Sequence, residues 1–190
     1  MRKRNVIASI LITSLCSFVA RGQRASEPPS GTDAASLILE KPEGERRLHR
    51  SAGTTIGTAP FILKFDPKNG GTKHLVLFSE NLLAGAAIPR HKHPSCEEIL
   101  ILETGKTRVH LGETVTEVGP GATVFIPQDT WFSAEVIGSE PVSLVAIFSE
   151  PGFEDYMRAI SVREEEPRTP MSKAELDAVR LQHLHAVTYK

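Results

Sequence analysis

Cysteine, aromatic residues and net charge are all scarce in this sequence, and each scarcity excludes a class of protein. Two cysteines in 190 residues cannot form the several disulfides of a small secreted scaffold. Aromatic residues make up 6%, too few for a stacking surface that binds single-stranded nucleic acid. A formal charge of −1 shows no excess of basic residues of the kind that binds a phosphate backbone. The remaining composition, 40% hydrophobic and 24% charged, is typical of one globular domain with short additions.

The N-terminus combines a basic start with an uncharged, mostly apolar run. Residues 1–4 read MRKR, and residues 5–20 carry no charge. Ala20 and Gly22 place small residues at positions −3 and −1 of a cleavage site before Gln23. The run is shorter than the roughly 20 residues that span a bilayer. We therefore predict a signal peptide over residues 1–22, a secreted or periplasmic location and no stable membrane association after cleavage. A membrane anchor, or a lipoprotein acylated at Cys16, is the alternative.

Cleavage of that segment changes the composition of the working chain. Four basic residues and no acidic residue are lost, which leaves 18 Lys and Arg against 23 Asp and Glu. Only Cys96 remains of the two cysteines. The mature chain is thus expected to be acidic, to bind no nucleic acid and to be stabilised by its core without an internal disulfide.

Short apolar runs separated by turns with Gly, Pro or polar residues dominate residues 61–149. The predicted strands are 61–65, 74–78, 86–88, 98–103, 107–111, 114–118, 123–126, 131–136 and 142–148. Such a series is typical of an all-β sandwich or barrel, and no segment there has the length of a crossover helix. We predict a flexible lead-in over residues 23–36, a β domain over 37–150 and a C-terminal helical extension over 151–190.

The extension is predicted to contain two helices, over residues 153–160 and from Ser172 to about Leu184. Ser172 and Glu175 form a capping box that opens the second helix, with Leu176, Val179 and Leu184 on its buried side. A charged run over residues 43–50, EGERRLHR, is predicted to be solvated surface.

The residues that indicate chemistry lie in one stretch, residues 85–105. His91 and His93 are spaced i and i+2, which places both imidazoles on one face of an extended strand. Glu97 and Glu98 follow after a turn, and either can join the histidines from the next strand. Two imidazoles and one carboxylate form a facial triad that leaves coordination positions open for substrate or oxygen.

The spacing Gly85-x5-His91-x-His93-x4-Glu98-x6-Gly105 resembles the first motif of the cupin family. Residues 119–132 resemble its second motif, and the resemblance spans residues 61–148, with a tail like that of single-domain bacterial type-2 cupins. It implies an all-β, antiparallel jelly-roll barrel with short C-terminal helices. It also implies His91, His93 and Glu98, rather than Glu97, as ligands of a divalent metal ion (Fe, Mn, Zn or Ni), and a homodimer.

One position departs from the cupin pattern. Phe132 stands where the second motif usually supplies a histidine, so the four-ligand set is incomplete. Three alternatives follow: a three-ligand site with an open position, His110 as a replacement ligand, or a pocket without metal. Phe132 is expected to make one pocket wall apolar. Arg108, His110 and Trp131 are further candidates for lining the pocket, although Arg108 and His110 also fit a solvated outer strand face.

Two functions are consistent with these residues. The first is an exported metal-binding cupin that acts on a small organic molecule as a metal-dependent dioxygenase or related oxidoreductase. The second is a non-catalytic cupin that binds a small-molecule ligand without full metal coordination. The sequence does not choose between enzyme and binder, and it indicates no separate acid–base pair near the metal.

Overall fold

A computed structural model describes residues 36–50 and 59–190 as twelve strands and two helices. The strands are β1 (Glu45–His49), β2 (Phe61–Phe65), β3 (Val76–Leu82), β4 (Ala87–Lys92), β5 (Glu98–Thr104), β6 (Thr107–Leu111), β7 (Thr114–Val118), β8 (Thr123–Ile126), β9 (Phe132–Val136), β10 (Val142–Phe148), β11 (Ser161–Arg163) and β12 (Thr188–Tyr189). The helices are α1 (Phe153–Ala159) and α2 (Lys173–Gln182).

The strands form two antiparallel sheets. Seven strands make the larger sheet in the order β11-β1-β2-β3-β10-β5-β8, and five make the smaller one in the order β12-β4-β9-β6-β7. Buried side chains such as Phe78, Phe148 and Val142 form the core, because alternate residues of each strand point inward. The predicted antiparallel jelly roll with short C-terminal helices is confirmed.

Five strands have the predicted bounds: β2, β6, β7, β8 and β10. Three run further than predicted, β5 by a single residue, to Thr104. β3 continues to Leu82 because it pairs with β10 along its whole length. β4 continues to Lys92 because β9 and β12 flank it on either side. The extensions of β3 and β4 matter for function, since they bring Glu80 and His91 onto strands.

The charged run over residues 43–50 is not the solvated surface that we predicted. Most of it forms β1, which lies between β2 and β11. Arg47 is 9% exposed, and its guanidinium donates to the Ser161 hydroxyl at 2.7 Å and the Ser161 carbonyl at 3.1 Å. Arg158 on α1 bonds both Glu45, at 2.7 Å, and the fully buried Asp66, at 2.6 Å. These ion pairs join α1 to the larger sheet.

The C-terminal extension packs against the barrel. The capping box is confirmed: the Ser172 hydroxyl accepts from the Glu175 amide, and the Glu175 carboxylate accepts from the Ser172 amide. Leu176 and Val179 are half-buried against the core. Leu184 is 49% exposed, and here the prediction is wrong because the helix ends at Gln182. The chain then returns as β12, which pairs with β4.

In the part of the chain that the structure describes, no helix is long and apolar enough to cross a membrane. The predicted signal peptide and residues 23–35 of the predicted lead-in lie outside the described residues, so both stay predictions.

Candidate metal centre

Two neighbouring segments bring His91, His93 and Glu98 together inside the barrel. His91 lies on β4, His93 directly follows that strand, and Glu98 opens β5. The three side chains are 3–5% exposed, and one ligand atom from each lies within 4.8 Å of the others. Glu97 is exposed on the other face of the chain. The structure thus assembles the triad that the sequence predicts.

Backbone carbonyls fix both imidazole rings. His91 Nδ1 lies 2.8 Å from the Pro89 carbonyl oxygen, and His93 Nδ1 lies 2.9 Å from that of Ala186. Because a carbonyl can only accept, each Nδ1 carries a hydrogen, and in the neutral ring each Nε2 presents a lone pair. Burial, followed by the neighbouring His93, lowers the pKa of His91 to about 4, so this ring is neutral at neutral pH.

Two atoms of the triad face each other without a hydrogen bond to any described residue. His93 Nε2 and Glu98 Oε2 are buried, make no hydrogen bond within the described residues and lie 3.4 Å apart. Buried polar atoms are nearly always satisfied, so an orphaned lone pair facing an orphaned carboxylate oxygen needs an explanation. A divalent cation between them satisfies both atoms, and the set of two nitrogens and one carboxylate fits such an ion.

The loop after β8 holds the histidine segment from outside. The Asp129 amide donates to the His93 carbonyl at 2.8 Å, and the Gln128 side chain donates to the Pro94 carbonyl at 2.5 Å. The Asp129 carboxylate also pairs with Lys92 at 2.6 Å. This loop belongs to the second motif, so the two motifs support each other in the structure.

Phe132 lies beside the triad and is 1% exposed. It pairs with His91 across β4 and β9, and the two rings meet edge to face with centroids 5.6 Å apart. Phe153 packs edge to face on His93 with centroids 4.6 Å apart. Aromatic rings therefore pack beside the two histidines, where the cupin pattern would place a fourth ligand.

The other predicted pocket residues lie elsewhere. Arg108 on β6 pairs with Glu117 at 2.8 Å on the surface, and His110 Nε2 lies 3.8 Å from Glu135. Trp131 lies under the Lys92 ammonium, whose Nζ is 5.2 Å from the centroid of the tryptophan ring. None of Arg108, His110 and Trp131 lines the central cavity formed by the described residues. The pocket assignment is corrected here, because β6 turns Thr107 and Val109 inward and Arg108 and His110 outward.

The central cavity measures about 50 Å³, room for a few water molecules. His91 and Glu98 line it together with Glu80 and His49, while Met157 and Tyr189 belong to the C-terminal segments that cover it. Phe132 is buried beside His91 but does not line the cavity.

Sequence reasoning missed three side chains of this cavity, Glu80, His49 and Tyr189. A signal for Glu80 exists: Val76, Phe78 and Leu82 alternate with it on the inward face of β3. No comparable signal marks Tyr189 or the Ala186 carbonyl, because tertiary pairing places both.

The fold and the triad together define a jelly-roll domain with a buried two-histidine, one-glutamate site. Residues 78–148 match the family model Cupin_2, described as "Cupin domain". This finding confirms the resemblance. No curated protein matches the sequence.

Solved structures agree on the fold. A protein from Thermotoga maritima, described as a predicted oxalate decarboxylase, is 17% identical with a TM-score of 0.51, and the match covers 60% of this chain and 100% of that one. An RmlC-like cupin from Shewanella frigidimarina is 13% identical with a TM-score of 0.49, covering 64% and 96%. An oxalate decarboxylase from Lactobacillus farciminis is 19% identical with a TM-score of 0.45, covering 48% and 29%. The Thermotoga maritima match supports a shared fold, and at these identities none of the three says anything about activity.

Proposed function

We propose that this chain binds one divalent transition metal ion through His91, His93 and Glu98 and acts on a small organic molecule at the open coordination positions. The observation that carries the proposal is the pair of buried, unpartnered atoms His93 Nε2 and Glu98 Oε2, 3.4 Å apart. The hydrogen bonds at Nδ1 of His91 and of His93 orient both imidazoles toward the same point.

The finer proposal is a metal-dependent dioxygenase or related oxidoreductase. Two histidines and one carboxylate are the ligand set of non-haem iron oxygenases, while Mn, Zn and Ni also accept these donors. A bound ion would supply Lewis-acid or oxygen chemistry. The protein residues would hold the ligands in place, and Phe132 and Phe153 would pack against the imidazoles and fix their orientation.

The direct test is elemental analysis of the purified protein after reconstitution with Fe(II), Mn(II), Zn(II) or Ni(II). We expect about one ion per chain in the wild type and little in the His91→Ala/His93→Ala variant. Glu97→Gln is the matched control, because this neighbouring carboxylate is exposed. Equal metal content in the wild type and the double variant would contradict the assignment.

A non-catalytic binding function is the second candidate, and Phe132 favours it. An apolar ring beside His91 in place of a fourth ligand weakens coordination relative to a four-ligand cupin. Oxygen uptake separates the candidates: a dioxygenase consumes oxygen in a metal-dependent way when screened against small carboxylates and phenols. A binder shows thermal stabilisation by one of these compounds without oxygen uptake or product.

We also propose that the mature protein is exported and forms a homodimer. The outer face of the larger sheet supports the dimer, because Leu77, Ile147, Ile99 and Phe125 lie in one row across β3, β10, β5 and β8. Phe125 is 51% exposed. Light scattering on the protein and on a Phe125→Glu variant tests this assembly, and a monomeric wild type would contradict it.

A further inference from the structure

The cavity carries a second acidic residue besides the triad. Glu80 lies on β3, where it pairs with Leu144 of β10, and Leu144 in turn pairs with Leu102 of β5. Leu144 and Leu102 are buried, so this row of side chains points into the barrel. Glu80 therefore lines the same cavity as His91 and Glu98.

The Glu80 carboxylate has no structural task in the described residues. No hydrogen bond or ion pair among them involves its carboxylate, and its neighbours in the cavity wall include Leu144 and Met157. Glu80 is half-buried, and a carboxylate in a cavity wall without a protein partner can interact with whatever occupies the cavity. Burial, and then the nearby charge of Glu98, raises the pKa of Glu80 to about 7.

Four other titratable groups share the cavity with Glu80. Two of them keep one protonation state near neutral pH, and the other two belong to the triad. Burial lowers the pKa of His49 to about 4, so this ring is neutral. Burial raises the pKa of Tyr189 well above its usual range, so this phenol keeps its proton. His91 and Glu98 are committed to the metal ion. Glu80 is left as the cavity group that can change its protonation state.

We propose that Glu80 exchanges a proton with a ligand held at the metal centre and is thus the acid–base residue of the cavity. This inference rests on the proposed function, since the metal ion holds the ligand in reach. In one direction the carboxyl O–H bond of Glu80 breaks as an O–H, N–H or C–H bond forms on the ligand, which leaves a glutamate carboxylate. In the other direction the carboxylate takes the proton back. No electrons are transferred, so the step needs no oxidant.

Cobalt(II) is a suitable probe, because its absorption spectrum responds to charge and protonation beside the ion without any turnover. Cobalt-loaded wild type is titrated across the neutral range, together with Glu80→Gln, Glu80→Asp and Glu97→Gln. We expect a spectral step in the wild type, the same step in Glu97→Gln, a displaced step in Glu80→Asp and no step in Glu80→Gln.

Each outcome decides between the two proposals. A step that persists in Glu80→Gln overturns the role of Glu80, and so does a wild-type spectrum that does not change with pH. A wild type that binds no cobalt overturns the metal centre, and with it this inference. Once the reaction is known, a lost acid–base limb in the pH profile of Glu80→Gln, at unchanged cobalt content, is the expected kinetic result.

Discussion

Replacement of Glu80 by Gln should stabilise the metal-free protein, although it alters a half-buried position in the cavity wall. The amide keeps the shape of the carboxyl group but never ionises. In the wild type the pKa of Glu80 rises from its ordinary 4.5 to about 7 on folding. A folded state that raises the pKa of an acid binds protons more tightly than the unfolded chain, so ionisation works against folding.

The size and the pH range of the effect follow from this shift. The destabilisation is absent below the unfolded value of 4.5, grows between 4.5 and about 7, and is constant above that. One pKa unit corresponds to about 1.4 kcal/mol, so the full effect is on the order of 3 kcal/mol. This figure is an upper bound, because the carboxylate faces a cavity large enough to hold water.

Urea denaturation with a chelator present measures the difference at about pH 5 and about pH 8. We expect Glu80→Gln to exceed the wild type by under roughly 1 kcal/mol at the lower pH and by up to about 3 kcal/mol at the higher pH. Glu97→Gln, an exposed site, should differ little at either pH. A Glu80→Gln variant that is equally or less stable than the wild type at about pH 8 would refute the assignment of a raised pKa.

Three further perturbations test other parts of the structure. Arg158→Ala leaves Asp66 buried without its cation, although Glu45 keeps Arg47 as a partner, and should cost about 3–5 kcal/mol in urea denaturation. Arg108→Ala, in a surface pair, should change stability very little; equal losses would contradict the structure. Phe132→His adds a donor beside His91 and should tighten metal binding in isothermal titration calorimetry; unchanged affinity would mean that the ring does not face the ion. Removal of residues 186–190 takes away the carbonyl that orients His93 and should weaken metal binding about 10- to 100-fold in chelator competition, whereas Tyr189→Phe, which keeps that carbonyl, should bind nearly normally.

Sequence patterning predicts much of the barrel because its strands are short, alternating and bounded by turn residues. Strands over residues 107–111, 114–118, 123–126 and 142–148 have the predicted bounds for this reason. The metal triad is predictable because all three ligands lie within eight residues of sequence, on two successive extended segments.

Other elements depend on distant partners and leave no local signal. β1 carries Arg47 and His49, which are residue types usually found on a surface. They are buried here because Arg47 bonds Ser161 and His49 packs on Phe61. β12 has two residues and exists because β4 pairs with it. Glu80 differs from these, because it shares a strand face with Val76 and Phe78, but the strand predicted over residues 74–78 ends two positions before it.

The hydrogen bond between His93 and the Ala186 carbonyl spans 93 residues of sequence. Closing a loop of this length costs chain entropy, so the contact exists only while the C-terminal segment is docked. The proposed metal site therefore has its full ligand geometry when both the barrel and the C-terminal segment are in place. Local opening of β12 would then release the ion while the barrel stays folded, so the rate of metal loss should report the motion of β12.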